Sequence, residues 1–306
     1  MMGLLGRLTR ALGLDRSGSG KGPIIHLPGD IREPRGLCLF SGPMESDVWP
    51  ALFMASTLQR AFSEVELNVL CPGRDDGLFN MLPWRPKVHC YGNSPEMPPS
   101  LSENGLPDGS LFFYPYSKVI DSDVRMLQSV MRLTRIAPLD SPSDLVNLVV
   151  RTGSPYFPEK LEQMCGTLGI EYDREWKPTV QRHAERAAEQ IMAPVTGRML
   201  PYIVTTPSAQ KILERSRAEI PLRTVTLSGQ SSEFKDLDRE LKTAVVAGAS
   251  AVVTDSDDIW GDACAFGVPV VGLDREGSFM KWHGVEASRK EEDFVGAWVG
   301  LLKRGW

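Results

Sequence analysis

The chain has 306 residues, 42% of them apolar and 24% charged, and a formal net charge of −5. This length suits two domains of about 150 residues, each able to bury a sizeable core. The acidic balance and the lack of a Lys/Arg stripe argue against a nucleic-acid partner, because neutralising phosphates takes clustered cations on one face. Five cysteines without a C-x-x-C pair read as buried thiols in a reducing compartment, and four scattered histidines lack the i+3 or i+4 partner of a metal site.

Residues 1–16, MMGLLGRLTRALGLDR, put Met1, Leu4, Leu5, Leu8, Ala11 and Leu12 on one helical face and hold Arg7, Arg10 and Arg16 away from its centre. Such a basic amphipathic helix is too short and too charged to span a bilayer, and it lacks the apolar core of a signal peptide. Its pattern fits both an interfacial membrane helix and a helix docked on the protein's own surface. Residues 17–22 follow as a flexible tether. Gly20-Lys21 within them has neither the preceding strand nor the glycine spacing of a phosphate-binding loop.

The first globular domain is expected at 23–177, opening with an apolar strand at 36–40, a polar loop at 41–47, a helical run at 48–62 and a second strand at 67–70. From 72 to 109, Pro, Gly, Asn and Ser predict loops around a single strand at 88–91. Residues 111–114 predict another strand, 121–136 an amphipathic helix, and 144–150 a closing apolar run.

The second domain is expected at 178–306, with a strand at 201–204, a hydroxyl-rich loop at 205–211, a strand at 223–229 and a helix over 231–246. Its centre is 251–273, AVVTDSDDIWGDACAFGVPVVGL, a βαβ half-unit. A buried strand at 251–253 leads to a turn at 254–258 with N-cap chemistry; Gly267 stops the helix and a second strand begins at 268. Ligands bind beyond the carboxyl ends of such strands, where a helix N-terminus offers free N–H groups to phosphate. Residues 291–303 form an amphipathic closing helix, with Phe294 and Trp298 packing inward.

Asp255-Ser256 and Ala265-Phe266-Gly267-Val268-Pro269-Val270-Val271 resemble the nucleotide-sugar half-site of GT-B enzymes, above all glycosyltransferase family nine heptosyltransferases, with their V-x-N-D-S-G-P-M-H-x-A-x-A-x-G-V-P-V-V-x-L. Asp257-Asp258-Ile259-Trp260 replaces the G-P-M-H part, with one residue more before the glycine. That spacing is similar to the T-D-S-G-G-I-x-E-E-A of UDP-N-acetylglucosamine 2-epimerases, echoed by Thr254-Asp255-Ser256, Ile259 and Asp262-Ala263. The resemblance implies an α/β fold of GT-B type, two Rossmann-like domains with parallel sheets facing a central cleft. The second domain is abbreviated, because the family strand ending in G-G-P has no counterpart.

Carried residue by residue, the family's G-D-V falls on Asp47-Val48, so the resemblance makes Asp47 the general base and Glu45 its nearby substitute. Residues 158–170 are similar to the family's interdomain helix. Thr205, Thr206, Ser208 and Lys211 occupy the loop that holds the donor phosphates, and Ser228-Gly229 ends the strand that the family writes L-A-G. Thr254, Asp255, Ser256, Asp257 and Asp262 complete the nucleotide-sugar set. The activity implied is inverting transfer of a sugar from a nucleotide-diphosphate donor to a saccharide or lipid-linked acceptor of the cell envelope or another membrane, with neither metal nor cofactor. It implies a cytoplasmic place, with residues 1–16 offering a peripheral hold on the inner face of the membrane.

Two other readings stand beside it. A non-catalytic GT-B scaffold fits the missing glycines, the lost histidine and the shortened second domain. An epimerase fits the longer turn but lacks that family's N-terminal G-T-R-P-E. For the N-terminal helix the expected outcome is sedimentation with anionic liposomes, lost when residues 1–22 are deleted; unchanged lipid binding by the truncated chain would remove the membrane role.

Overall fold

A computed structural model describes residues 33–304 apart from 93–94, 97, 99–100, 102–105, 142, 197–200, 219, 221 and 228–236. The expected helix at 1–16 and its tether lie outside the described residues, as do Ser228 and Gly229. The chain divides into two compact units, Met1–Trp176 and Lys177–Trp306. Among the described residues no helix is long and apolar enough to cross a membrane.

The first unit contains β1 (Leu37–Phe40), α1 (Val48–Ala61), β2 (Leu67–Pro72), β3 (Lys87–Tyr91), β4 (Leu111–Phe113), α2 (Asp121–Ser129), β5 (Thr134–Ala137), β6 (Leu148–Val149) and α3 (Glu159–Leu168). Its six strands are parallel in the order β3-β2-β1-β4-β5-β6. The chain therefore builds outward from β1 in one direction and restarts at β4 in the other. β1 and β2 are buried along their whole length, which is why β1 reads as an unbroken apolar run and β2 as one interrupted by Asn68 alone. Phe40 stacks on Tyr91 and Tyr114, both with ring centroids 5.8 Å away, over Met126 and Leu127 of α2. Behind α1, Asp173 accepts Ser56 Oγ at 2.7 Å and Arg60 Nη1 at 2.8 Å, fixing the end of the unit to that helix.

One expected element is corrected here. The helical spacing over 121–136 continues through Met126, Leu127, Val130 and Leu133, all buried, but α2 stops at Ser129 and Thr134–Ala137 is strand β5. A tight turn carries the period across the break, with the Leu133 N–H bonded to the Val130 carbonyl at 2.9 Å. The strand is then held by a contact no local pattern reveals. Asn147 Oδ1 accepts both the Arg135 backbone N–H (2.9 Å) and its Nε–H (2.8 Å). The cysteine expectation also needs amendment: Cys38, Cys71 and Cys165 are buried and Cys264 is partly buried, but Cys90 is exposed on the edge strand.

The second unit runs α4 (Arg182–Thr196), β7 (Tyr202–Thr205), α5 (Pro207–Arg215), β8 (Arg223–Thr226), α6 (Arg239–Ala247), β9 (Ala251–Thr254), α7 (Asp257–Phe266), β10 (Val270–Gly272) and α8 (Glu291–Arg304). Its four-stranded parallel sheet is ordered β10-β9-β7-β8. Helices cover both faces: Val204 and Val252 pack with Val245 and Ile259 on one side, and Ile203 and Val253 with Leu213, Phe294 and Trp298 on the other. α7 ends in a left-handed Gly267 at φ 68°, and the Val268 N–H returns to the Ala263 carbonyl at 2.9 Å, the closure that a glycine after the last turn allows.

Candidate functional site

In a parallel sheet the strand order reverses where two neighbouring strands send their connections to opposite faces, and a crevice opens beyond their carboxyl ends. The first unit reverses between β1 and β4, the second between β7 and β9. Both points carry predicted site residues.

At the first, Ser41 to Asp47 connect β1 to α1 through a 3-10 turn, Glu45–Asp47. Asp47 is half-buried. Its backbone N–H donates to the Met44 carbonyl (3.1 Å) and its Oδ2 accepts the Met44 N–H (3.0 Å), a reciprocal cap that satisfies donors at the start of the helix. Gly42 is needed for this placement, because a Cβ there would stand 2.2 Å from Asp47 Oδ2. Tyr116, just beyond β4, ties the turn together. Its hydroxyl accepts the Gly42 N–H at 2.6 Å and donates to the Asp47 carbonyl at 2.8 Å. Tyr91, at the end of β3, donates to the Ser41 carbonyl at 2.6 Å. Burial first, and then the Asp47 charge, push both phenols above their ordinary range, so they act as neutral donors. Neither tyrosine is visible as a site residue in sequence, since one ends β3 and the other lies beyond β4, both far along the chain from the turn they hold.

At the second reversal the structure brings together two loops that lie about fifty positions apart in the chain, a spacing no local helix or turn pattern can bridge. Thr206 Oγ1 donates to Asp255 Oδ1 at 2.5 Å and Ser208 Oγ to Asp255 Oδ2. The expected loop at 205–211 is shorter than its sequence suggests, because Pro207 starts α5; Ser208 and Lys211 are helical. Lys211 is exposed and makes no ion pair among the described residues. Thr205 is 2% exposed and turns its hydroxyl to the Thr206 carbonyl (3.2 Å).

The remaining turn residues divide into two groups. Thr254 Oγ1 accepts the Ser256 N–H at 2.9 Å, Ser256 stands at the N-cap position of α7 without a side-chain cap bond, and Asp257 Oδ1 accepts the Met280 N–H at 3.3 Å. Asp258 and Asp262, one helical turn apart, face α6 instead. Asp258 pairs with Lys242 and also accepts the Ser256 hydroxyl. Asp262, expected in the nucleotide-sugar set, is fully buried and holds Arg239 in a two-pronged ion pair with both contacts at 2.5 Å, Thr243 Oγ1 adding a third at 3.0 Å. The pairing answers a need of the core, because a buried guanidinium has to be matched by a carboxylate. The matching signal is present in sequence: Arg239 and Lys242 are spaced by one turn on one helix, as are Asp258 and Asp262 on the other.

The loop after β10 closes over α7. Asp274 accepts the backbone N–H groups of Gly277 (2.7 Å), Ser278 (2.9 Å) and Phe279 (3.1 Å), and Trp260 Nε1 donates to the Met280 carbonyl at 3.0 Å. Trp260 lies against Gly272, where an added Cβ would meet its ring at 2.5 Å. Among the described residues no group of three or more His, Cys, Asp or Glu is placed to hold a metal ion.

No family model and no curated protein matches the chain. Solved structures do. A family 9 glycosyl transferase from Veillonella parvula is 9% identical with a TM-score of 0.59, covering 88% of this chain and 90% of its own. The E. coli heptosyltransferase WaaC with ADP is 10% identical at TM-score 0.57, and the E. coli ADP-heptose lipopolysaccharide heptosyltransferase II is 12% identical at 0.55; each covers 88% of this chain and 99% of its own. The two parallel sheets and these likenesses define the fold as that of GT-B glycosyltransferases.

Gly42→Ala is expected to turn the Asp47 carboxylate away from Met44 and to cost about 0.5–2 kcal/mol, the worth of a lost helix cap. Urea melts of Gly42→Ala, Asp47→Ala and the double variant check this: the double should be little worse than Asp47→Ala alone, since both remove one interaction.

Proposed function

We propose that this chain is a glycosyltransferase of the family nine kind, moving a sugar from a nucleotide-diphosphate donor to an acceptor hydroxyl with inversion. The observation that carries the reading is the meeting of Thr206 and Ser208 with Asp255 at the strand reversal of the second unit. Two hydroxyls, the N-terminus of α7 and the exposed Lys211 supply what a diphosphate leaving group needs as charge builds on it: donors, a positive dipole end and a cation. Asp255 and Asp257 then serve ribose or sugar hydroxyls. In the first unit Asp47 takes the proton of the acceptor hydroxyl as its oxygen attacks the anomeric carbon and the nucleoside diphosphate departs. A cell-envelope acceptor, a cytoplasmic place at the membrane and independence of metals belong to the same proposal.

The second reading, a GT-B scaffold without donor binding, has its own observation. The hydroxyls of Thr206, Ser208 and Ser256 already donate to carboxylates, so a phosphate entering here displaces an acceptor and meets its charge.

Thermal-shift measurements with ADP, UDP, GDP and their sugars separate the two. One nucleotide at a hundred times its dissociation constant is expected to add about 2.7 kcal/mol of stability, and Lys211→Ala to weaken that affinity in calorimetry. Silence across the panel would favour the scaffold. With a donor in hand, Asp47→Asn is expected to lower turnover by at least about a hundredfold while nucleotide affinity stays near its original value. A folded Asp47→Asn chain with ordinary transfer would take Asp47 out of the chemistry and leave it as the cap alone.

A further inference from the structure

Cys71 on β2 and Cys90 on β3 are register partners on neighbouring parallel strands. Adjacent strands lie about 4.8 Å apart, inside the span of about 4.4–6.8 Å between Cα atoms that a disulfide bridges, and paired residues project from the same face. Each thiol stands near enough to shift the titration of the other. Cys71 is fully buried while Cys90 is exposed on the edge strand, and both are free. No such pairing is available to Cys38, whose partners across the sheet are Asn68 and Phe112.

We propose that Cys71 and Cys90 form a reversible dithiol–disulfide modification site, oxidised by low-molecular-weight disulfides. Cys90, the reachable thiol, loses its proton and attacks one sulfur of the small disulfide; that S–S bond breaks, one small thiolate leaves, and a mixed disulfide forms on Cys90. Cys71 then gives up its proton and attacks the Cys90 sulfur, expelling the second small thiol. Two protein thiols are oxidised by two electrons, and one small disulfide is reduced to two thiols. The groups facing the pair are Asp75 and Asp76 from the turn after β2 and Arg85 beyond it. Burial and the aspartates outweigh Arg85 and hold the Cys90 thiol protonated, which slows exchange at neutral pH.

The bond would fasten the edge strand and close a loop around the 3-10 segment Gly73–Met81. Tyr91, next to Cys90, is the residue that donates to the Ser41 carbonyl, so oxidation stiffens one wall of the first candidate site without touching Asp47.

The test uses the full chain with oxidised glutathione at mildly alkaline pH, followed by thiol counting in denaturant and peptide mapping. The five thiols should fall to three, with a linked Cys71–Cys90 peptide, and dithiothreitol should restore all five. Cys90→Ser, a change at an exposed position, should lose no thiols to an internal bond, whereas Cys264→Ser should still lose two. Five thiols surviving prolonged exposure, a mixed disulfide that stays on Cys90, or a linked peptide from any other pair would overturn the proposal.

Discussion

Each unit depends on a parallel sheet whose strands leave in opposite directions from one internal boundary. That boundary, β1 against β4 and β7 against β9, is the place where backbone N–H groups at helix starts stand without helical partners. Something polar has to satisfy them. In the first unit a tyrosine hydroxyl and an aspartate do it for the turn that leads into α1. In the second, threonine, serine and aspartate side chains from separate connections bond to one another instead, and neither α5 nor α7 has a side-chain cap. The candidate sites are thus the points where the fold's own polar accounting is least local.

This explains why the second site can be well formed and still ambivalent. A site that satisfies its own hydroxyl donors with carboxylates is ordered before any ligand arrives, which lowers the entropic cost of binding but demands that the ligand outcompete an internal acceptor. Neutral hydroxyl groups of a ribose or a pyranose face no such charge, while a diphosphate does. Asp258 and Asp262 do not add to the repulsion, since their charges are met by Lys242 and Arg239 on α6.

Much of the fold was legible because its signals are short-range. The stretch 251–273 shows its strand, its helix and its glycine stop in consecutive residues, and the structure has β9, α7 and β10 there. The pairing of Thr206 with Asp255 was legible only as two strand ends that each carried polar residues. What sequence hid was long-range. Arg135 looks like a helix-surface residue until Asn147 meets it across a strand pair. Tyr116 gave no signal at all, because its partners Gly42 and Asp47 lie some seventy positions earlier, at the far end of another strand.

The contact between Gly272 and Trp260 carries a consequence for descent. The indole lies where any side chain at 272 would have to stand, so neither position is free to drift alone. A lineage that gains a side chain at 272 has first to lose the tryptophan at 260, and with it the bond to the Met280 carbonyl that shapes the loop above α7. A small residue in place of the indole removes the nearest obstacle at 272 and leaves the Phe279 ring, 3.1 Å from an added Cβ, as the next, so the loop after β10 has to shift as well.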